Sequence, residues 1–502
     1  MKKFKINKVI ILSLLGIMGL QSCNDENFGE NYNQNEYGIY SSDYKSLMAG
    51  AFGQFALRGG NNFYMKPILY SQYQSQVIYT SESQYNQEGG QWDWYYVRAL
   101  NNFDKIIADY SSPNVTPMME DQGSASNMIG VSKIMRAIIY KKLTDAYGDL
   151  PYSEANKIYE DIKTPKFDTQ ESIYKSLINN LKEGRDLLNA AEKAPVGDLV
   201  YRGDVLKWKK LANSVLLQAS LQLSKKYPSA SGYAATEFNS ALNNSAGVIE
   251  VVADEAWHTF NVDAGVINPL NPFRRADYRL SAELVESLKG TNSIFNITSN
   301  HTNDARRSVY ASNNNPGLPY GYNTSDLAAA GHNTSGKTQI STKFTGVESP
   351  MNFMTAGYTY LNRAEASALG WTTEDIPTML TNGIKLNYQT LEDHYNTAIS
   401  SSANSYIAAR VADIATFGAK RIIGEEKWVA LFNNGFDAWS EFRRTGYPNL
   451  KPAPSSINGG TIPRRLQYPV NEQIFNSSNY NEGVSRLSPS VDLNTSKVWW
   501  DQ

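Results

Sequence analysis

Aromatic rings and side-chain amides gather where together they could grip a flat, well-hydrated ligand. Residues 91–102 carry Trp92, Trp94 and Tyr95 followed by Asn101 and Asn102, and Tyr320 and Tyr322 stand two apart among glycines and a proline. Trp257 lies in a polar stretch that also holds Phe260 and Tyr278. An indole or phenol presents an apolar face with a polar edge, so such rings stack on a ligand while amides hydrogen-bond to it. If a helix begins after Gly89-Gly90, Trp92 shares a face with Tyr95 or Tyr96 and Trp94 points elsewhere. At least one of the two tryptophans is then expected at the surface, and packing of all these rings in a core is the competing expectation.

Turnover has fewer candidates. His258, His301, His332 and His394 are far apart and none falls in a metal-ligand spacing, so no metal or other cofactor is expected. The chain has no G-x-S-x-G elbow and no phosphate-binding glycine loop. A glycosidase needs only two carboxylates at the right separation, which Asp93 between the tryptophans or Asp254-Glu255 near Trp257 could supply. Acidic side chains are usually solvated surface groups, so no catalytic residue is assigned and an enzyme is not expected.

The single cysteine, Cys23, has a different chemistry. Lys2, Lys3, Lys5 and Lys8 precede an apolar run over residues 9–20, followed by Leu20-Gln21-Ser22-Cys23. A twelve-residue run reaches about 18 Å as a helix, short of the roughly 30 Å hydrocarbon core, so it reads as a secretory signal over 1–22 rather than a span. The junction resembles a bacterial lipobox, in which the cysteine is acylated and becomes the first residue of the mature chain. Residues 23–44 then read as a lipidated flexible tether, and 45–502 as a single folded domain.

The elements that must position these residues are mostly helices. With 47 basic and 49 acidic residues among 502 the net charge is −2, so no basic surplus directs the chain to nucleic acid. Apolar residues at 3,4 spacing predict helices at about 129–147, 169–190, 205–226, 358–369 and 422–443, with Asp168 as the cap of the second. Strand signals are few and no strand–helix alternation occurs, so the fold class is mostly α. The helix pairs suggest a repeat scaffold, although no strict consensus can be read off. Residues 248–350 are rich in Asn, Ser, Thr, Gly and Pro, with a helical pattern only at 281–288, and form an irregular, ligand-facing half.

Several blocks from about residue 140 onward resemble the SusD-like family of nutrient-binding outer-membrane lipoproteins of Bacteroidetes, in particular its second, divergent branch. They include Leu143-Thr144-Asp145-Ala146-Tyr147-Gly148-Asp149-Leu150-Pro151-Tyr152, Arg202-Gly203-Asp204 with Lys207-Trp208, and Asn303-Asp304-Ala305-Arg306-Arg307, where Ala305 replaces the usual proline. Leu361-Asn362-Arg363-Ala364-Glu365-Ala366, Glu426-Lys427-Trp428, Arg443-Arg444-Thr445-Gly446-Tyr447-Pro448 and the closing Trp499-Trp500-Asp501 follow in the family's order. Asp149, Asp204, Trp208, Glu365 and Arg443 are expected to cap, pack and pair rather than touch ligand. The resemblance implies tetratricopeptide-like helix pairs, an outer-membrane location facing the exterior, and a SusC-like TonB-dependent transporter as partner. It implies binding of an oligomeric nutrient, glycan or peptide, without turnover. A lipid-anchored glycan hydrolase and a structural surface protein without a small ligand remain the alternatives.

Overall fold

The computed structural model describes residues 43–57, 63–263, 265–271, 276–290 and 303–502. Cys23, the apolar run before it and the proposed tether lie outside the described residues, Asp43 and Tyr44 excepted.

Helices α1 (Ala125–Tyr147) and α2 (Gln170–Leu187) pack together, as do α3 (Val205–Gln222) and α4 (Tyr233–Leu242), and α5 (Ala356–Ala368) and α6 (Ile376–Tyr395). Helices α7 (Ala403–Phe417), α8 (Ala419–Ala430) and α9 (Gly435–Thr445) continue the series. Val131, Ile134, Met135, Ile138 and Ile139 of α1 are buried, as are Ile173, Leu177, Ile178 and Leu181 of α2, so the apolar stripes face one another across the pair. Two crossings use the same device. A Cβ on Gly130 of α1 would stand 2.9 Å from the carbonyl oxygen of Gly184 of α2, and one on Gly357 of α5 would stand 2.8 Å from that of Gly383 of α6. Backbones that close leave no room for any side chain, and the kinship of the helix pairs shows in these glycines better than in a repeat consensus.

Caps set the helix starts. Ser124 accepts from the Asn127 N–H, Asp204 from those of Leu206 and Lys207, and Asp375 from that of Thr378. The expected cap of α2 needs correction: Thr169 accepts from the Ser172 N–H. Asp168 instead accepts from the N–H groups of Tyr152 and Ser153, beside the short pairing of Leu150–Pro151 with Phe167–Asp168. The helix expected over 422–443 is two helices, α8 and α9. The apolar pattern runs on through buried Leu431 and Phe432, but the backbone turns at Asn433, whose φ is +72°.

Strands are confined to short antiparallel pairs among the described residues. Gln74–Gln76 pairs with Tyr278–Leu280, and Ala256–His258 with Met351–Met354. Between residues 248 and 350 the described chain is largely irregular, with Ala282–Lys289 its longest helix. Several residues of the family blocks pack and pair within the fold. Trp208 is fully buried and donates to Asp198 at 2.7 Å, Glu365 pairs with Lys427 and Arg444, and the Arg443 guanidinium lies 3.6 Å over the Trp439 ring.

Candidate functional site

The chain from Gln76 to Arg98 lines two neighbouring clefts. It is fixed at Gly89 and Gly90, which meet Gln467: the Gly90 N–H donates to the Gln467 carbonyl at 3.0 Å, and a Cβ at Gly90 would stand 2.2 Å from that oxygen and 2.5 Å from the Tyr147 ring. From this anchor the chain enters a helix at Asp93–Tyr95, passes through a π-helical stretch at Tyr96–Leu100 and continues as Asn101–Tyr110. Such a π insertion resets which side chains face inward. Trp92, Tyr95, Tyr96, Ala99 and Leu100 are buried, whereas Asp93, Val97 and Arg98 are exposed and Trp94 is half-buried.

The larger cleft, about 900 Å³, lies over that outer face and is closed on its far side by Pro469, Val470 and Asn471. Trp94 is its aromatic wall. The indole N–H donates to the Gln54 carbonyl at 3.3 Å, and the Arg98 guanidinium, one helical turn on, lies 4.3 Å from the ring centroid. Arg98 has no ion-pair partner among the described residues, so it can donate to a ligand oxygen while staying stacked on the indole. Asp93, Gln91 and Asn471 add a carboxylate and two amides at the rim. The second cleft, of about 360 Å³, is lined by Gln76, Ile78, Tyr79, Glu82, Glu88 and Tyr278. Tyr79 is 81% exposed and holds φ +52°, an uncommon conformation for a bulky residue, which projects a phenol ring into solvent at the cleft.

The residues singled out from sequence do not form one surface. Trp92 (3% exposed) packs edge-on against Tyr96, Tyr147 and Tyr468, and Tyr95 (1%) against Phe63, so both rings are enclosed by other aromatic rings. Tyr320 (2%) is likewise buried, beside Tyr85. Trp257 (7%) is largely covered by His394, which stacks on it at 3.7 Å. Tyr322 is half-buried against His332. Asn102 donates to the Leu47 carbonyl at 3.3 Å and ties two helices together, while Asn101 is exposed. Only Trp94 of the eight lines the larger cleft. Arg98 was legible as its i+4 partner, whereas nothing periodic around Tyr79 marks it.

The described chain thus combines helix pairs with open clefts, the larger of them lined by an aromatic ring, a guanidinium and amides. Comparison with known proteins supplies the family. Residues 38–469 match the SusD-like model described as starch-binding and associating with the outer membrane, and the chain belongs to this SusD-like family. A chitin-binding protein shares the fold with a TM-score of 0.75 at 26% identity, over 92% of this chain and 100% of its own. A chitin-binding SusD homolog from Flavobacterium johnsoniae superposes with a TM-score of 0.72 at 22% identity, over 92% and 99%. A SusD homolog from Parabacteroides distasonis does so with 0.77 at 20% identity, over 92% and 98%. No curated protein matches the chain. Among the described residues no helix is long and apolar enough to cross a membrane.

Proposed function

We propose that this chain captures an oligosaccharide at the outer face of the outer membrane and passes it to a SusC-like TonB-dependent transporter. The Trp94–Arg98 pair carries the reading: a half-buried indole and an uncommitted guanidinium on one cleft wall suit the apolar face and the hydroxyl or acetamido oxygens of a sugar. Two structural neighbours are chitin-binding proteins, which makes a β-linked N-acetylglucosamine oligomer the first ligand to try. An open cleft grips such a ligand without enclosing it, which is what hand-over requires. Acylation at Cys23 would hold the body at the membrane and raise the effective ligand concentration at the transporter.

Turnover is less well supported. Asp254 pairs with Lys210 at 2.6 Å, and Glu255 is buried and accepts from Thr390, Ala356 and Trp257, so both carboxylates are committed to structure. Calorimetric titration with chitohexaose, maltohexaose and peptides of similar size tests the reading. Binding of a hexasaccharide supports it, and binding of peptides alone moves the ligand class. Copurification of a large outer-membrane β-barrel with the tagged chain tests the partner.

A further inference from the structure

A third cleft, of about 500 Å³, shares no residue with the two described above. Its floor is the stacked pair of Trp257 and His394, with centroids 3.7 Å apart and planes 22° from parallel. Trp257 sits at the irregularity in the pairing of Ala256–His258 with Met351–Met354, and such bulges re-aim a side chain. Its indole N–H is fixed by Glu255 at 3.0 Å, so the ring cannot swing, and the half-buried imidazole at the end of α6 is the ring that reaches solvent.

The opposite wall is equally rigid. Buried Asp198 accepts from the N–H groups of Val200, Tyr201 and Gly203 and from Trp208, and the turn so fixed carries Arg202 at φ +53° with its side chain exposed. Tyr201 is locked by its hydroxyl on the Asp254 carbonyl at 2.8 Å. Lys207 spends its ammonium partly on the Ala253 carbonyl at 2.7 Å. Arg202 has neither an ion pair nor a hydrogen bond among the described residues. Of the solvent-reaching charges on the walls, Arg202 and Lys207 outnumber Asp393. A planar guanidinium carried on a fixed turn and left unpaired fits a carboxylate by two parallel hydrogen bonds.

We propose that this cleft is a second carbohydrate site, which takes the carboxylate-bearing residue of an acidic oligosaccharide, the sugar ring lying on His394 and the carboxylate on Arg202. The site is independent of the Trp94 cleft and does not rest on the reading of that cleft. Calorimetry with trigalacturonate as probe and maltotriose as its neutral counterpart tests it, with melting temperature as control. Both side chains reach solvent, so Arg202→Ala and His394→Ala are expected to fold. Trigalacturonate should bind; Arg202→Ala should weaken it at least tenfold and His394→Ala several-fold, Arg202→Lys should restore only part of the loss, and Trp94→Ala should change nothing. Native affinity in Arg202→Ala, equal affinity for maltotriose, or no binding of trigalacturonate to the wild-type chain would each overturn the proposal. Loss of trigalacturonate binding in Trp94→Ala, with Arg202→Ala unaffected, would place the acidic ligand in the other cleft and overturn it as well.

Discussion

The guanidinium of Arg306 lies 2.8 Å from the carboxylate of Glu426, 120 residues further along the chain, with both side chains removed from solvent. Arg306 also meets Asp304 at 2.7 Å and the Asn387 side chain at 2.9 Å, while Glu426 accepts from Tyr406 and from Arg410 at 2.6 and 2.7 Å. The network thus fastens the irregular half to α6, α7 and α8. An ion pair this deep gives little net stability against an apolar replacement of the whole set, because two charges had to leave water. Removal of one partner is another matter.

Arg306→Met leaves Asp304 buried without its cation and Glu426 with Arg410 alone. Urea denaturation should show a loss of about 3–5 kcal/mol. A loss below about 1 kcal/mol would mean that water or Arg410 compensates the carboxylates, and the network would not be the fastening argued above.

Gly357→Ala tests the close helix crossing. On an exposed helix the change would gain up to about 1 kcal/mol from propensity. Here the new methyl would stand 2.8 Å from the Gly383 carbonyl oxygen and 3.0 Å from the Asn387 nitrogen, backbone atoms that cannot swing away. The expected net effect is destabilisation of about 1–3 kcal/mol by chemical denaturation; a stabilised variant would show that α5 and α6 can part without penalty.

Stability should pass through a maximum in mildly acidic solution. Burial raises the Glu255 carboxyl from 4.5 to about 7, against the lowering effect of its three hydrogen-bond donors, and burial likewise raises Glu283 to about 7. A carboxyl that holds its proton more tightly in the folded chain stabilises fully below 4.5, and that contribution is lost as pH rises through about 7. Glu426 behaves oppositely: burial raises it, but Arg306 and Arg410 outweigh burial and hold it at about 2, so its contribution is present above 4.5 and fades as pH falls toward 2. The alkaline loss is at most about 3 kcal/mol per carboxyl. Melting temperatures from pH 4 to 9 should show the maximum, and Glu255→Gln should flatten its alkaline side. An unchanged slope in that variant would remove Glu255 from the account.

Sequence periodicity locates α1 and α2 because each has one wet and one dry face, and it runs past the break between α8 and α9 because Leu431 and Phe432 are buried in the turn as well. The family blocks at Asp304 and Glu426 are visible separately, but their pairing is a tertiary fact that no local pattern encodes. At the candidate site the i, i+4 spacing of Trp94 and Arg98 is legible. That Trp92 and Trp94 take different faces is legible too; which of the two turns inward is not, because it depends on where Gly90 is pinned by Gln467.

Trp208→Ala provides the contrast for binding experiments. The ring is fully buried, packs edge-on against Tyr201 at 5.4 Å and donates to Asp198. Its removal should cost about 3–5 kcal/mol of stability through the cavity it leaves, while a neutral hexasaccharide titrated below the melting transition should bind as to the wild type. Weakened binding in a variant that melts normally would contradict a purely structural role.

Trp94→Ala should do the reverse. The ring is half-buried, and its one hydrogen bond among the described residues is a long one to the Gln54 carbonyl, so the melting temperature should fall little. If the indole is the platform, binding of the hexasaccharide that the wild-type chain takes up should lose about 1–3 kcal/mol, the scale of aromatic stacking on a flat ligand. Arg98→Ala should lose less, since the guanidinium lies over the ring and offers hydrogen bonds at the edge of the cleft. Tyr79→Phe and Tyr79→Ala separate the second cleft from the first: Tyr79 is highly exposed, so neither change should disturb folding, and a loss of affinity in both would extend the binding surface across Glu88 to Tyr79. Full affinity in Trp94→Ala and Arg98→Ala together with loss in Tyr79→Ala would move the glycan to the smaller cleft and leave the larger one without a ligand.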